Sequence, residues 1–281
     1  NITKASIELN SEALAYVVYT SGSTGQPKGS CIAHTGLCNL ALAQATEFKV
    51  ETNSKVLQFA SIAFDAATSE WAMTLTTGAT LCLVPQEIIT EPQQLESYIQ
   101  AKQISHATLP PALLPALQID KWQSVKHLIV AGESCPIALA KQWSKGRQLY
   151  NAYGPSETTV CATINAYDGT SGILSIGKPI ANVQVYVLDK YNQLLPTGAI
   201  GELHIGGVGL AKGYIGKPAL TEQKFINHPF KPNGSEKLYK TGDLVRWLDN
   251  GELEFIGRAD NQIKIRGHRI ELGEIESQLQ Q

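Results

Sequence analysis

The sequence predicts an α/β protein with parallel β-α-β layers followed by an antiparallel, barrel-like section. Over residues 1–165, short apolar runs alternate with segments of helical spacing, a pattern typical of parallel β-α-β units. Over residues 166–257 the pattern changes to short strands separated by turn residues, which favours antiparallel pairing. Ligands of parallel sheets bind beyond the carboxyl ends of the strands, so we expect the functional site there.

The elements of the first section follow from its apolar runs and their boundaries. Predicted strands cover residues 15–19, 56–60, 78–85, 106–110 and 128–133, and predicted helices cover residues 30–45, 64–75 and 92–102. Asp65 stands at the start of the second helix, where an N-cap is the commoner use of aspartate. In the second section, strands are predicted at residues 183–188 and 201–206, and two more flank the turn at residues 249–251.

Composition excludes several classes of function. The 281 residues carry a net charge of −2, so no global positive field attracts nucleic acid or anionic lipid. The sequence has no run of eighteen apolar residues and starts with polar residues, so we expect a soluble, cytoplasmic protein without a signal peptide. The five cysteines form no C-x-x-C pair and the six histidines fall at no zinc spacing, which argues against a disulfide framework or a zinc site.

The loop after the first predicted strand has the composition of a phosphate-binding segment. Residues 20–29 (TSGSTGQPKG) hold three glycines, four hydroxyl side chains and one lysine, with no carboxylate. Glycines let backbone N–H groups approach an anion, while hydroxyls and lysine add donors and positive charge. A flexible linker is the alternative reading of this composition. The loop leaves a buried strand and ends in Pro-Lys-Gly, which favours phosphate binding, but it lacks the Walker A pattern.

This loop resembles the signature loop of the adenylate-forming superfamily, which includes acyl-CoA synthetases, luciferases and amino-acid adenylation domains. Further segments resemble motifs of the same superfamily, in the same order, at residues 151–159 (NAYGPSETT), 201–214, 239–244 (YKTGDL) and 257–272. Ser156 and Lys212 stand where threonine and arginine are more usual. Taken alone, these segments are explained as well by turns and a solvated basic face; together they cover nearly the whole chain.

The resemblance implies an enzyme that uses ATP and Mg²⁺, and it assigns roles to individual residues. The segment 201–214 is expected to be mainly structural. The residues implied to act on phosphate are Thr20, Ser21, Thr24, Lys28 and Glu157, with Glu157 also the magnesium ligand. Asn151, Tyr153, Asp243 and Arg258 are implied to bind the nucleotide, Tyr153 by stacking on adenine and Asp243 through the ribose hydroxyls, and Asp260 is the implied hinge residue.

Within the superfamily, the sequence is most similar to adenylation domains of nonribosomal peptide synthetases. The Phe-Asp-Ala string at residues 64–66 and the string KIRGHRIEL at residues 264–272 carry this resemblance. It gives Asp65 a second interpretation, as the anion that meets the ammonium group of a free amino acid. Desolvation of that ammonium is costly unless an anion compensates.

The resemblance also implies which residues line the substrate pocket: Asp65, Ala66, Ser69, Thr108, Ile129, Ala131, Ala152, Val160 and Cys161. Apart from Asp65 this wall is apolar or small, so charged substrate side chains are disfavoured. Ser69 and Thr108 leave length and two hydroxyls for a phenol, so we predict tyrosine, with phenylalanine second. A slip of one residue in the helix would place Thr68 or Glu70 in the pocket instead of Ser69.

The implied reaction joins the carboxylate of the amino acid to the α-phosphate of ATP, and the aminoacyl group then passes to the phosphopantetheine thiol of a carrier domain. Peptidyl carrier and condensation domains of the same synthetase are the implied partners. Residues 1–257 would form part of the large core, and residues 258–281 the hinge and the beginning of a small C-terminal lid. The family's domain extends beyond both ends of this sequence, so we expect a fragment. An acyl- or aryl-CoA ligase and a non-catalytic nucleotide-binding remnant are the alternatives.

Overall fold

A computed structural model describes residues 10–22, 26–231, 234–260, 262–265, 268–270, 275 and 279. Its largest sheet is seven-stranded and mostly parallel, and a second, five-stranded sheet is antiparallel and curled into a half-barrel. The predicted fold class is therefore confirmed. In this part of the chain, no helix combines the length and apolarity needed to cross a membrane.

The first sheet and its flanking elements fill residues 14–179. In chain order they are β1 (Leu14–Thr20), β2 (Lys28–Ala33), α1 (His34–Glu47), β3 (Lys55–Gln58), α2 (Asp65–Thr76), β4 (Thr80–Leu83), α3 (Gln86–Ile89), α4 (Pro92–Lys102), β5 (His106–Leu109), β6 (His127–Ala131), α5 (Ile137–Trp143), β7 (Gln148–Tyr153), β8 (Thr163–Tyr167) and β9 (Lys178–Pro179). Short 3-10 helices cover Pro111–Ala116, Ile119–Trp122 and Ser156–Thr158. The bounds of α4 agree with the predicted helix at residues 92–102.

The second section contains β10 (Val183–Leu188), β11 (Gly201–Gly207), α6 (Pro218–Lys224), β12 (Phe225–Asn227), β13 (Lys237–Trp247), β14 (Leu253–Arg258), β15 (Ile263–Ile265) and β16 (His268–Ile270). Strands β10, β11, β13 and β12 lie side by side in that order, and β14 pairs with β13. The predicted turn at residues 249–251 joins β13 to β14. This hairpin places Asp243 directly opposite Arg258.

The first sheet has the strand order β4-β3-β5-β6-β7-β8-β9. Its pairs are parallel from β4 to β7, whereas β8 and β9 join antiparallel. The sheet thus continues to Pro179, past the predicted change of pattern at residue 166. Because β5, β6 and β7 are parallel neighbours, their carboxyl ends meet at one edge, which is where the cavity described below opens.

The two faces of this sheet belong to separate apolar cores, as the alternation of a strand requires. On β6, Ile129 packs in one core with Leu40 of α1, while its neighbours Leu128 and Val130 pack in the other with Trp143 of α5. All five side chains are essentially inaccessible to solvent. Full burial of one such side chain contributes about 1.5–3 kcal/mol, so both faces stabilise the sheet edge that carries the cavity.

The start of α1 differs from the prediction of a helix from residue 30. Residues 30–33 belong to β2, which pairs antiparallel with β1, Thr20 facing Lys28 and Leu14 facing Ala33. On its other side the backbone N–H of Cys31 donates to the carbonyl of Gly213, at 3.0 Å. The helix prediction was wrong for residues 30–33 because hydrogen bonds to distant segments on both sides override local propensity.

Candidate functional site

A cavity of about 860 Å³ opens between the two sheets, at the carboxyl edge of β5, β6 and β7. Both sheets contribute side chains to its walls. It brings together all nine residues predicted for the substrate pocket, namely Asp65, Ala66, Ser69, Thr108, Ile129, Ala131, Ala152, Val160 and Cys161. The predicted nucleotide and hinge residues Asn151, Tyr153, Asp243, Arg258 and Asp260 line the same cavity. We call the two parts of this cavity the substrate end and the nucleotide end, after these two sets of residues.

Register in the parallel sheet fixes the wall of the substrate end. Thr108 pairs with Ile129, and Ala131 pairs with Ala152, so their side chains lie on one face of the sheet. The facing helix α2 contributes Ser69 to the cavity, but neither Thr68 nor Glu70. The predicted helix register therefore agrees with the structure, and the one-residue slip does not occur.

Asp65 is the first residue of α2, while Phe64 occupies the N-cap position with an extended backbone. The N-cap role considered for Asp65 is thus taken by another residue. A carboxylate in the first turn is stabilised by the helix dipole. Its charge also reaches Tyr16: burial raises the pKa of that phenol, and the nearby Asp65 raises it further.

Glu70 is fully buried and holds the chain that leads into α2. Its carboxylate accepts the backbone N–H groups of Phe59 and Ala60, each at 3.1 Å to Oε2. Burial raises the pKa of Glu70 to about 8, although these two N–H groups oppose the shift. The loop between β3 and α2 is therefore fixed by backbone contacts, and with it the position of Asp65.

Gln44 and Phe48 are among the cavity residues that sequence reasoning missed. Both lie at the carboxyl end of α1, one turn apart, so that they present side chains to the same side. Phe48 packs edge-on against Tyr150, with ring centroids 5.0 Å apart. The one available signal was their spacing of four residues, because no motif covers this helix.

At the nucleotide end, Asp243 lies between two partners. Tyr153 donates its phenol O–H to Asp243 Oδ2, and Arg258 Nη1 donates to Asp243 Oδ1 at 2.6 Å. Arg258 also binds Asp260 through Nε and Nη2, at 2.7 and 2.6 Å. Burial, and then the charge of Asp243, holds the pKa of Tyr153 well above its usual value. The four side chains form one hydrogen-bonded row along the cavity wall.

Asn151 is buried at the edge of this row. Its amide Nδ2 donates to the carbonyl of Ser175 at 2.8 Å. Ser175 in turn donates its hydroxyl to Glu252, also at 2.8 Å. Because Leu174 and Ile176 line the cavity, Asn151 fixes a neighbouring part of the wall.

The predicted phosphate loop connects β1 to β2 as a hairpin. Thr20 ends β1, and its Oγ1 is buried with no hydrogen-bond partner among the described residues. A Cβ on Gly22 would lie 2.1 Å from the carbonyl oxygen of Gln26, so that position requires glycine. Ser21 follows Thr20 in the described part of the loop, whereas Thr24 lies outside the described residues.

Lys28 and Glu157 form a buried ion pair beside the cavity rather than facing into it. Lys28 Nζ lies 2.9 Å from Glu157 Oε1, and the two residues are only 4% and 0% exposed. Tyr214 donates its phenol O–H to the same Glu157 oxygen at 2.7 Å, and burial, then the charge of Glu157, raises the pKa of Tyr214. The segment 201–214, expected to be mainly structural, thus contributes a side chain to this cluster. Gly154 and Val160, on either side of Glu157 in sequence, line the cavity.

The donor set suits a magnesium–triphosphate better than a metal held by protein alone. In the described part of the chain, no group of three or more His, Cys, Asp or Glu side chains is arranged to hold a metal. Mg²⁺ is usually bound by one or two carboxylates together with substrate phosphates. Glu157 provides such a carboxylate, and the orphaned hydroxyl of Thr20 and the ammonium of Lys28 suit phosphate oxygens.

The backbone is unusual where the cavity wall passes this cluster. Thr159 and Val160 have φ values of 58° and 65°, in the left-handed region that β-branched residues rarely adopt. A Cβ on Gly154 would lie 2.5 Å from the carbonyl oxygen of Val160, so the segment folds closely on itself. Such conformations persist only where the surroundings impose them, and they cluster at functional sites.

A family match, a curated relative and solved structures all relate this chain to adenylate-forming proteins. Residues 3–215 match the family described as AMP-binding enzyme. The chain is 52% identical over 266 residues to Bacitracin synthase 3 of Bacillus licheniformis, and the match covers 95% of this chain and 4% of that protein. The Vibrio cholerae adenylation domain AlmE, solved in complex with glycyl-adenosine-5'-phosphate, matches with a TM-score of 0.87 and 28% identity, over 95% of this chain and 52% of its own.

A second solved structure has the same TM-score. PA1221, described as an NRPS protein containing adenylation and PCP domains, matches with a TM-score of 0.87 and 29% identity, over 97% of this chain and 49% of its own. The chain thus spans a small part of the curated relative and about half of each solved chain.

Proposed function

Because this chain belongs to the family of AMP-binding enzymes, we propose that it activates an amino acid with ATP, as the adenylation ligase of a nonribosomal peptide synthetase. One observation carries the proposal. A single cavity has a carboxylate, Asp65, on its apolar substrate end and the row Tyr153, Asp243 and Arg258 on its nucleotide end. The two reacting molecules would meet between them.

In the proposed reaction, a carboxylate oxygen of the amino acid attacks the α-phosphorus of ATP. The new bond is the mixed anhydride of the aminoacyl-adenylate, and the bond between the α-phosphorus and the bridging oxygen to the β-phosphate breaks to release pyrophosphate. The chain supplies position and charge rather than a nucleophile. Magnesium, when bound, neutralises charge on the leaving pyrophosphate.

The substrate end supports an aromatic amino acid. Asp65 would meet its ammonium group, and the neutral wall would leave a second charge unpaired. The small residues Ala131 and Ala152 leave width for a ring, while Ser69 and Thr108 leave room beyond it. We therefore propose tyrosine as substrate, with phenylalanine second.

The remaining predicted site residues are proposed to bind ATP and magnesium. Tyr153 would offer its ring to adenine and Asp243 its carboxylate to the ribose hydroxyls, with Asn151 and Arg258 completing that wall. The buried ion pair between Lys28 and Glu157 would open on binding of the nucleotide. The ammonium would then reach phosphate together with Thr20, Ser21 and Thr24, and the carboxylate would reach magnesium.

The proposed partners are domains of the same synthetase, located in the cytoplasm. PA1221 is a protein with both adenylation and PCP domains, which supports transfer of the aminoacyl group to a carrier phosphopantetheine thiol here. A condensation domain of the same synthetase is the other proposed partner. On this proposal residues 1–257 form the core, and residues 258–281 begin the C-terminal lid, with Asp260 as hinge.

The test is ATP–pyrophosphate exchange with a panel of amino acids, fatty acids and benzoic acids, using the full-length protein. Tyrosine should drive exchange best, and Asp65→Ala should lower its kcat/KM about 100-fold by removing a charge pair. Asp120→Ala, an exposed site outside the cavity, should leave exchange unchanged.

Two results would contradict the proposal. Exchange with fatty or benzoic acids but with no amino acid would indicate an acyl- or aryl-CoA ligase. Binding of ATP without exchange for any acid would indicate a non-catalytic remnant. Unchanged tyrosine activation in Asp65→Ala would overturn the assignment of Asp65 to the ammonium.

A further inference from the structure

A strained turn forms part of the wall at the substrate end. The backbone N–H of Cys161 donates to the carbonyl of Thr159 at 2.7 Å, so Val160 is the central residue of a three-residue γ-turn. Its φ of 65° belongs to the rare and strained form of this turn. Val160 and Cys161 both line the cavity. The shape of the substrate end therefore depends on the contacts that hold this turn.

The side chain of Thr159 makes such a contact with a distant part of the chain. Thr159 is 1% exposed, and its hydroxyl donates to the carbonyl of Gly209 at 2.6 Å, across 50 residues of sequence. The segment that follows Gly209 is bonded to the same region, because the backbone N–H of Ala211 donates to the carbonyl of Glu157 at 2.9 Å. The strained turn is thus fixed to backbone that lies beyond β11.

Helix α1 closes the other side of the Thr159 hydroxyl. Gly36 is buried on this helix, and a Cβ there would lie 2.7 Å from Thr159 Oγ1 and 3.3 Å from the carbonyl oxygen of Val208. A methyl group at this position would have to displace the hydroxyl or the segment after β11. The hydroxyl is therefore confined between α1 and that segment.

The position of Val160 determines how much space the substrate end offers. Its side chain packs against the apolar core that contains Ile129 and Ala152, two other residues of the same wall. A left-handed backbone is unfavourable for β-branched residues and persists only where the surroundings impose it. If the contact with Gly209 were removed, we expect the turn to relax and the wall to shift.

We propose that Thr159 is a positioning residue for substrate selection, whose hydrogen bond to Gly209 holds Val160 against the substrate end and so limits the size of the amino-acid side chain that fits. This role rests on the proposed function, since it concerns the substrate of that same site. Thr159 does not contact the substrate and acts through Val160. It also gives a role in selection to the segment 201–214, which the sequence predicts to be mainly structural.

The test compares amino acids of different size in ATP–pyrophosphate exchange with the full-length protein. 3-Iodotyrosine is wider than tyrosine and O-ethyltyrosine is longer, while all three keep the ammonium group that Asp65 would meet. In the wild type, tyrosine should exceed at least one of the two larger compounds by about 10–100-fold in kcat/KM, because a closely fitting pocket excludes additional atoms.

Thr159→Val removes the hydroxyl but keeps the volume and the β-branching. It should reduce that preference to less than about threefold, mainly by lowering KM for the larger compound, and should leave KM for ATP within about twofold of the wild type. Thr159→Ser keeps the donor and should retain the preference. Thr35→Val is the matched control, since the hydroxyl of Thr35 donates to the distant carbonyl of Ser11 at 2.7 Å. It should behave as the wild type.

Gly36→Ala tests the same contact from α1. Its methyl group would lie too close to the hydroxyl of Thr159, so it should reduce the preference in the same direction. Alanine is a better helix former than glycine, so this variant provides the measurement if Thr159→Val does not fold.

The proposal is overturned if the wild type uses tyrosine and both larger compounds equally. It is also overturned if Thr159→Val, or Gly36→Ala where Thr159→Val does not fold, keeps the wild-type preference, or if Thr159→Ser loses it. A purely structural role of Thr159 would lower kcat/KM for all three amino acids by the same factor and leave their ratio unchanged. Failure of the proposed function is a distinct result, in which no amino acid drives exchange.

Discussion

The two ends of the cavity hold their charged and polar groups by different means. At the substrate end the wall is parallel sheet, and the buried carboxyl group of Glu70 is held by backbone N–H groups. At the nucleotide end, and in the ion pair that lies beside the cavity, carboxylates are held by other side chains. Glu157 is paired with Lys28, and Asp243 is paired with Arg258.

This difference indicates how each end responds to its ligand. A wall bonded through the backbone changes shape only if the sheet or the loop opens, so the substrate end is already formed. A pair of side chains can exchange one partner for a ligand of the same charge. On the proposed function, phosphate would replace Glu157 at Lys28, and magnesium would replace Lys28 at Glu157. On that proposal, the side chains at the nucleotide end are paired with one another before the ligand binds and exchange these partners for the ligand when it does.

The largest expected change in the free energy of unfolding is that of Lys28→Met. It leaves Glu157 buried without its cation, which should lower the free energy of unfolding by about 3–5 kcal/mol. Lys28→Met combined with Glu157→Gln removes both charges and should recover most of that loss. Urea unfolding of the full-length protein measures both values.

The matched control for this pair is the exposed ion pair of Lys231 with Glu236. Both side chains are well solvated, so Lys231→Met should leave the unfolding midpoint unchanged. A double variant as unstable as Lys28→Met alone would show that the buried charges are not coupled. The nucleotide end would then be held by packing, like the substrate end.

A second prediction concerns the support beneath the substrate end. His106 is buried, its Nε2–H donates to the carbonyl of Phe48 at 3.0 Å, and its ring stacks on His127 at 4.4 Å. Burial, then the neighbouring His127, lowers the pKa of His106 to about 4. Since the folded protein favours the neutral ring, this stabilisation is present above the ordinary pKa of about 6.5 and is lost as the pH falls toward 4.

Over that interval the free energy of unfolding should fall by roughly 3 kcal/mol on account of His106. His106→Gln should flatten the dependence between pH 7 and pH 4.5, which urea unfolding at several pH values measures. The pKa of His127 is also lowered, by burial and then by Lys49, although Glu51 opposes it, so some slope should remain. Equal slopes in the variant and the wild type would exclude His106 as the cause.

The local pattern of apolar and polar residues predicted those helices and strands whose boundaries are set by their own sequence. The helix at residues 92–102 and the strand at residues 183–188 have the predicted bounds, because each carries a complete periodicity and clear boundaries of its own. Resemblance to a family named residues that the structure places together in one cavity, a grouping that no periodicity contains. It did so because motifs far apart in sequence are aligned with positions whose proximity the fold creates.

Other features could not be predicted, for physical reasons. Strand β2 depends on hydrogen bonds to β1 and to Gly213, which local propensity does not report. The contacts of Glu157 with Lys28 and Tyr214 could not be predicted either, because they join positions that are far apart in sequence and meet only in the fold. Gln44 is a polar residue on an otherwise apolar side of α1. Its proximity to Cys161 could not be predicted, because only the fold places the two residues side by side in the cavity wall.

The smallest effect is expected at the rim of the nucleotide end. Asp260 binds Arg258 in a bidentate pair, but its side chain is 45% exposed, so the pair is well screened. Asp260→Asn should change the free energy of unfolding by less than about 0.5 kcal/mol.

The proposed hinge role of Asp260 predicts a separate effect on function. ATP–pyrophosphate exchange in Asp260→Asn should stay within about threefold of the wild type, since Arg258 keeps its contact with Asp243. Transfer of the aminoacyl group to the carrier thiol should slow by more than tenfold, about 1.4 kcal/mol, because it requires the lid to turn. Single-turnover thiolation measures that step. Exchange and transfer reduced by the same factor would indicate that Asp260 only positions Arg258, and the nucleotide end would then extend to this residue without a hinge.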